Sequence, residues 1–231
     1  MTDLARTAWP ETPEAPLLVV PLGSVEQHGH HLPFTTDTTI AAAVASSAVG
    51  ALDGALLAPA LAYGASGEHE GFPGTISIGT EALTGLLVEY GRSACRWAGR
   101  LLVVNGHGGN LDALRSAVPL LRAEGRDVAW FPCGVPGGDA HAGRTETSLM
   151  LHVEPDRVLG EQAVPGVTTP IGVLLPRLRA EGVRGVSPTG VLGDPTGASA
   201  EEGAALLAGL VERLVAAARA WDADGTGRLL G

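Results

Sequence analysis

Histidine and carboxylate residues concentrate in three short glycine-rich stretches of the chain. The first contains Glu26 and His28, two positions apart, and Asp37 follows later in the same stretch. Residues two apart in an extended backbone point to the same face, and the intervening loop is long enough to return Asp37 beside them. Imidazole nitrogens and carboxylate oxygens suit Zn, Mn, Fe or Co. The stretch therefore predicts metal ligands, against the alternative of a solvated turn with surface histidines.

The second stretch, NGHGGN, directly follows the apolar run LLVV and has His107 at its centre. A phosphate-binding glycine loop also follows a strand and opens a helix. That loop would need glycine or alanine where this chain has Leu111, which argues against it. His107 is better explained as a metal ligand, since the glycines around it let the backbone approach a bound ion.

The third stretch, GDAHAGRTETS, places His141 in a loop and Glu146 in the first turn of a predicted helix. The alternative for Glu146 is a carboxylate that only stabilises the helix dipole.

A fourth polar stretch contains Tyr63, Glu68 and His69, and it fits a substrate-contacting loop and an ordinary surface loop equally well.

Short apolar runs alternate with helix-like segments, so these stretches fall in loops between elements. The pattern predicts strands at 17–21, 56–59, 75–78, 101–104 and 127–131. It predicts helices from 37 or 38 to 49 and at 80–97, 110–124, 145–152, 171–181 and 199–221. Strands alternating with helices indicate an α/β fold with a mainly parallel sheet, whose functional loops lie beyond the carboxyl ends of the strands. No linker divides the chain, so residues 1–231 are expected to form one domain.

Composition excludes several classes of function. The formal net charge is −10, from 15 basic and 25 acidic residues, and no basic run is present, so nucleic acid and anionic membranes are not expected partners. No apolar stretch has the length of a membrane span, and no secretory signal is recognised, which predicts a cytoplasmic protein. The chain has no lysine, which excludes Schiff-base chemistry and a P-loop lysine.

Four blocks of the sequence resemble the creatininase family of metal-dependent amidohydrolases. They read GSVEQHGHHLPFTTD, VVNGHGGN, HAGRTETS and GVLGDPTGASAEEG, and the resemblance runs from about Leu17 to Trp221. It implies a three-layer creatininase-like fold, with the mainly parallel sheet flanked by helices. It also implies two divalent metal ions, Fe²⁺ and/or Zn²⁺ with Mn²⁺ as a further option. One ion would take Glu26 and His107, the other would take His28, and Asp37 would bridge them.

The same resemblance implies hydrolysis of an amide bond by water activated between the two metals. Creatininase has a further glutamate ligand two residues after the histidine that matches His107. This chain has Gly109 there, and Glu146 is the expected substitute, as a ligand with a catalytic role. His141 is the expected proton shuttle. Substrate contacts are expected from the following residues: Tyr63, Glu68, His69, Asn105 and Gly108.

Residues 62–83 and 131–143 are most similar to a branch of the family that acts on a ribosomally made precursor peptide. That branch releases the modified C-terminal unit derived from Val-Tyr. The resemblance also implies a homo-oligomer, with a hexamer as one form. Two alternatives stay open at this point: a small-molecule amidohydrolase of the creatinine or formamide type, and a non-catalytic metal-stabilised binding protein.

Overall fold

A four-stranded parallel sheet forms the centre of the computed structural model, which describes residues 3–230. Its strands are β1 (Leu17–Leu22), β2 (Ala55–Leu57), β3 (Arg100–Asn105) and β4 (Val128–Pro132). They lie in the order β2-β1-β3-β4, and every pair is parallel. Their short apolar sequences follow from burial on both faces of the sheet. The expected α/β class with a parallel sheet is confirmed.

Helices cover both faces of this sheet and produce two hydrophobic cores. One face carries α1 (Thr36–Val49), α4 (Arg144–Val153) and α6 (Ala200–Ala220). The other carries α2 (Thr80–Ala94) and α3 (Leu111–Ala123). A further helix, α5 (Ile171–Val186), is interrupted at Gly182 and packs near the 3₁₀ turn Gly67–His69. This arrangement is the expected three-layer architecture. Within residues 3–230, none of the helices is long and apolar enough to cross a membrane.

Two local predictions are wrong. Residues 75–78 do not form a strand, because Ile76 pairs only with Val25 in one antiparallel bridge and no second neighbour extends the ladder. Helix α1 begins at Thr36 rather than after a cap at Asp37 or Thr38. Asp37 therefore lies inside the first turn, where its buried carboxylate faces neighbouring side chains instead of capping the helix.

The register of the sheet brings three loop-forming strand ends together. Leu22 at the end of β1 is paired with Asn105 at the end of β3, which is in turn paired with Pro132 at the end of β4. Strand β2 lies next to β1 toward one edge of the sheet, and the chain then crosses over to form β3 and β4 toward the other edge. The direction in which strands are added therefore reverses between β1 and β3. Ligands of open α/β sheets bind at this kind of position.

Helices α4 and α6 approach each other closely at Gly203. A Cβ atom on Gly203 would collide with the Ser148 carbonyl and come within 2.9 Å of the His152 Cβ atom. We expect Gly203→Ala to lower the free energy of unfolding by about 1–3 kcal/mol, the usual cost of overpacking. Gly209→Ala, on the same helix with open space around it, should raise that free energy by up to about 1 kcal/mol. Urea unfolding of both variants measures these changes in the free energy of unfolding. Equal changes in the two variants would contradict a close approach of the helices at Gly203.

Candidate metal centre

The loop after β1 and the first turn of α1 bring the first predicted ligands together. Glu26 and His28 are completely buried, and Asp37 is nearly so. Nε2 of His28 lies 3.1 Å from Oδ1 of Asp37. One ligand atom from each of these three residues lies within 4.8 Å of the other two. The structure thus returns Asp37 to the position that the sequence predicts.

The loop after β3 adds His107 to this group. Its approach depends on Gly106, where a Cβ atom would collide with the backbone carbonyl of Asp37. Nε2 of His107 lies 3.1 Å from Oε2 of Glu26, and Nδ1 lies 3.4 Å from Oδ2 of Asp37. Asn105 donates from its amide to the His107 carbonyl at 2.7 Å. This contact holds the loop after β3 in place.

The third stretch contributes His141 and Glu146. The ring of His141 lies 4.3 Å from that of His28, between centroids, and its Nδ1 lies 3.7 Å from Oε1 of Glu26. Oε2 of Glu146 lies 3.8 Å from Nε2 of His28 and accepts a hydrogen bond from the Ala142 backbone at 2.6 Å. His28, His141 and Glu146 form a second group of donors within 4.8 Å of one another.

Two residues of the fourth stretch, which was expected to contact substrate, lie in direct contact with the predicted metal ligands. Nε2 of His69 lies 3.2 Å from Oε1 of Glu26, and Oε1 of Glu68 lies 3.4 Å from Nε2 of His107. A side chain at Gly109 would collide with the Ala65 carbonyl, the His107 ring and the Glu68 carboxylate, which together fill the space beside the glycine. Tyr63 is half exposed. We call the following seven residues the acid–histidine cluster: Glu26, His28, Asp37, His69, His107, His141 and Glu146.

Sequence reasoning missed Gln27, which connects two histidines of the cluster. Its side-chain amide nitrogen lies 3.0 Å from Nδ1 of His69 and 3.1 Å from Nε2 of His141, and it donates to the Gly190 carbonyl at 3.1 Å. In a regular extended strand, Gln27 would point away from Glu26 and His28. Its position between two candidate ligands was the one available signal.

The hydrogen bonds of three imidazoles test whether the cluster suits a metal. Each donates one ring N–H to a backbone carbonyl: His28 Nδ1 to Glu26 (3.1 Å), His107 Nε2 to Ala65 (3.1 Å) and His141 Nε2 to Gln27 (2.8 Å). The other ring nitrogen then faces the carboxylates of the cluster. Proteins orient metal-binding histidines through bonds of this kind. In addition, Oε1 of Glu26 and Oδ2 of Asp37 are buried without a hydrogen-bond partner. The donor set fits divalent cations.

The pKa values of the cluster also fit a site for divalent cations. Burial alone would lower the pKa of His28, but the adjacent Asp37 carboxylate raises it to about 10. Burial likewise opposes a high pKa for His107, which Glu26 nevertheless holds well above the usual value. Burial raises the pKa of Glu146 to about 7. The carboxylates therefore draw protons onto neighbouring imidazoles, and metal ions compete with protons for such donors.

His141 differs from the other two imidazoles. Burial, together with the electrostatic influence of the neighbouring His28 and His69 rings, holds the pKa of His141 well below the usual histidine value. Its ring is therefore neutral, with Nε2–H bound to the Gln27 carbonyl and Nδ1 facing the cluster. This orientation leaves Nδ1 as the ring atom available for proton transfer within the cluster.

A cavity of about 270 Å³ opens beside the cluster. Four of the predicted site residues with ionisable side chains line it: Asp37, His107, His141 and Glu146. Asn105 and Gly108 line it as well, whereas Tyr63, Glu68 and His69 are not part of its wall. The cavity lies beyond the carboxyl ends of β3 and β4 and gives a ligand access to the donors.

Comparison with known proteins connects this site to a family. A family model described as creatininase, creatinine amidohydrolase, matches residues 5–218. The mycofactocin precursor peptide peptidase of Mycolicibacterium smegmatis is 56% identical over 219 residues, which cover 93% of this chain and 89% of that protein.

Solved structures extend the similarity to the fold. A structure described as "Creatininase Mn" has a TM-score of 0.77 and 28% identity, covering 95% of this chain and 98% of the other. A creatininase mutant described as "Zn-Zn type" has a TM-score of 0.76 and 27% identity, covering 94% and 97%. The three-layer arrangement is therefore shared over nearly the whole length of both chains.

Proposed function

Because the chain belongs to the creatininase family, we propose that it is a metal-dependent peptidase acting on the mycofactocin precursor peptide. It would hydrolyse one amide bond and release the modified C-terminal unit derived from Val-Tyr. The observation that carries the proposal is the 56% identity to a peptidase of that name over 93% of the chain. The proposal treats residues 1–231 as one creatininase-like domain and retains the expectations of a cytoplasmic homo-oligomer.

Two divalent cations, Fe²⁺ and/or Zn²⁺ or Mn²⁺, are proposed as cofactors. Glu146 would replace the glutamate ligand that creatininase has at the position of Gly109. The complete set of proposed ligands is the predicted one: Glu26, His28, Asp37, His107 and Glu146. The unpartnered oxygens of Glu26 and Asp37 and the imidazole nitrogens facing the carboxylates support this assignment. Such cations supply Lewis acidity, which polarises a carbonyl oxygen and lowers the pKa of water toward neutrality.

The residues around the ligands are proposed to orient them and to move protons. His141 accepts a proton at Nδ1 and passes it to the leaving nitrogen, while the Gln27 carbonyl holds the ring in place. Gln27 also fixes His69 against Glu26 through its amide. Glu68, beside His107, supplies a further negative charge close to the ligands. The substrate amide would bind in the cavity that His141 and Glu146 line.

A cleavage assay tests this proposal. The protein, loaded with Fe²⁺, Zn²⁺ or Mn²⁺, is incubated with the modified precursor peptide, with creatinine and with a formamide substrate in parallel. Mass spectrometry should detect the released C-terminal unit, with a much higher kcat/KM for the peptide than for either small molecule. Preferred hydrolysis of creatinine or the formamide would favour the small-molecule alternative. Binding of fewer than two metals per chain, without hydrolysis of any substrate, would favour the non-catalytic one.

A further inference from the structure

A second cavity, of about 290 Å³, lies beside the one at the acid–histidine cluster. The two cavities share four lining residues: Leu111, Pro132, Gly134 and Val135. The two cavities therefore adjoin each other at the end of β4.

The second cavity has a strongly basic lining. Arg115, Arg213 and Arg228 contribute to its wall, and its described lining includes no acidic residue. The chain as a whole has a formal charge of −10 and only 15 basic residues, all of them arginine. Three guanidinium groups around one cavity are thus a local reversal of the overall charge. These arginines come from α3, from α6 and from the segment after α6, so only the fold brings them together.

These guanidinium groups have few acidic neighbours: Asp112 beside Arg115, and Asp224, whose pKa the charge of Arg228 helps to lower. Among residues 3–230, an ion pair is recorded for one of the three, between Arg115 and the exposed Asp112 at 3.6 Å. Arg213 donates to the Gly134 carbonyl at 2.7 Å and lies over the ring of Phe131. Arg228 lies 6.0 Å from the ring centroid of Trp130. Neighbouring aromatic and backbone groups therefore position Arg213 and Arg228.

From this geometry we infer that the second cavity is a subsite for acidic side chains of the peptide substrate, on the amino side of the cleaved bond. The inference rests on the proposed function. If the released unit is the C-terminal end of the peptide, the longer part of the substrate lies on the amino side and must leave the first cavity. The adjoining second cavity offers it a path.

Charge complementarity selects the occupant. Planar guanidinium groups bind carboxylates through paired hydrogen bonds, and Asp and Glu side chains of a peptide supply such carboxylates. An acidic peptide is repelled by the net negative charge of the chain, so a local basic region is needed to bring it to the site. A neutral small molecule held in the first cavity would not require the arginines.

A paired-substrate experiment tests the inference. The substrates are the modified precursor peptide with Asp or Glu on the amino side of the cleaved bond and the same peptide with those residues changed to Asn or Gln. The variants are Arg115→Gln, Arg228→Gln and the double variant. The matched control is Arg179→Gln, which changes an exposed arginine on α5, away from both cavities. Circular dichroism and oligomer mass are measured for each protein.

We expect the double variant to lose about tenfold in kcat/KM on the acidic peptide, mainly through KM, since each exposed ion pair contributes up to about fivefold. The amide peptide should be cleaved equally by the wild type and the double variant. Added salt should weaken the wild-type preference for the acidic peptide. Arg228→Glu should shift the preference toward a peptide with Lys in place of Asp or Glu. Arg179→Gln should leave both substrates unaffected.

Equal kcat/KM of wild type and double variant on the acidic peptide would overturn the subsite while leaving the proposed function in place. Cleavage of neither peptide by the wild type would instead contradict the proposed function. In that case the affinities of the wild type for the labelled acidic and amide peptides are measured by fluorescence anisotropy. Equal affinities for the two peptides would overturn the proposed subsite. A changed oligomer mass in the double variant would show that the arginines belong to an interface between copies, which also overturns the inference.

Discussion

Asp37→Asn should lose most of the bound metal and at least about a thousandfold in kcat/KM. The Asp37 carboxylate faces two imidazoles, with Oδ1 at 3.1 Å from His28 Nε2 and Oδ2 at 3.4 Å from His107 Nδ1. The amide keeps the shape of the side chain but removes its negative charge and replaces one acceptor oxygen by a donor. A thousandfold corresponds to about 4 kcal/mol in the barrier, which is within the several kcal/mol that a catalytic metal supplies.

The primary readout for Asp37→Asn is the metal content per chain. It is measured by elemental mass spectrometry after free ions have been removed. Asp53→Asn changes an exposed aspartate and serves as the matched control, which should keep both metal and activity. Thermal unfolding without metal separates loss of metal from loss of fold. Full metal content together with wild-type kcat/KM in Asp37→Asn would exclude a bridging role for this carboxylate.

His141→Ala should lower kcat by about a hundredfold or more while the metal content stays at the wild-type level. That range is typical for the removal of a general acid–base group. The prediction depends on the orientation of the ring, whose Nε2 donates to the Gln27 carbonyl at 2.8 Å and whose Nδ1 faces the cluster 3.7 Å from Glu26. KM should change little, because the proposed proton transfer acts on the chemical step rather than on binding.

Two histidines outside the cluster provide controls for His141→Ala. His30 and His152 are exposed, and their replacement by alanine should leave kcat and metal content unchanged. His30 is part of the first histidine stretch, so it also tests whether proximity in sequence is enough to create a ligand. If His141→Ala lost metal in proportion to activity, His141 would be a ligand, and its assignment as a proton shuttle would be wrong.

The elements of the fold could largely be predicted from the sequence because their signals are local. Apolar runs such as those of β1 and β3 are long enough for buried strands, and the apolar periodicity of α6 identifies a helix. The segment 75–78 shows the limit of such signals. Its alternating pattern is typical of a strand, but a strand requires a partner along its length, and only Ile76 has one.

The sequence by itself determined the types of ligand and the loops that carry them. Glu26, His28 and His107 belong to short motifs that follow strands, and parallel strands place such loops at the same edge of a sheet. Their chemistry therefore followed from residue type and chain order.

Only the tertiary structure decided which side chains complete the site. Gln27 contacts His141 across 114 positions of sequence, and Glu68 helps to fill the space beside Gly109, yet neither contact has a local sequence signal. The three arginines of the second cavity likewise come from separate elements. Hydrogen bonds and charge contacts act over a few ångströms in space, so they depend on how helices and loops pack and not on distance along the chain.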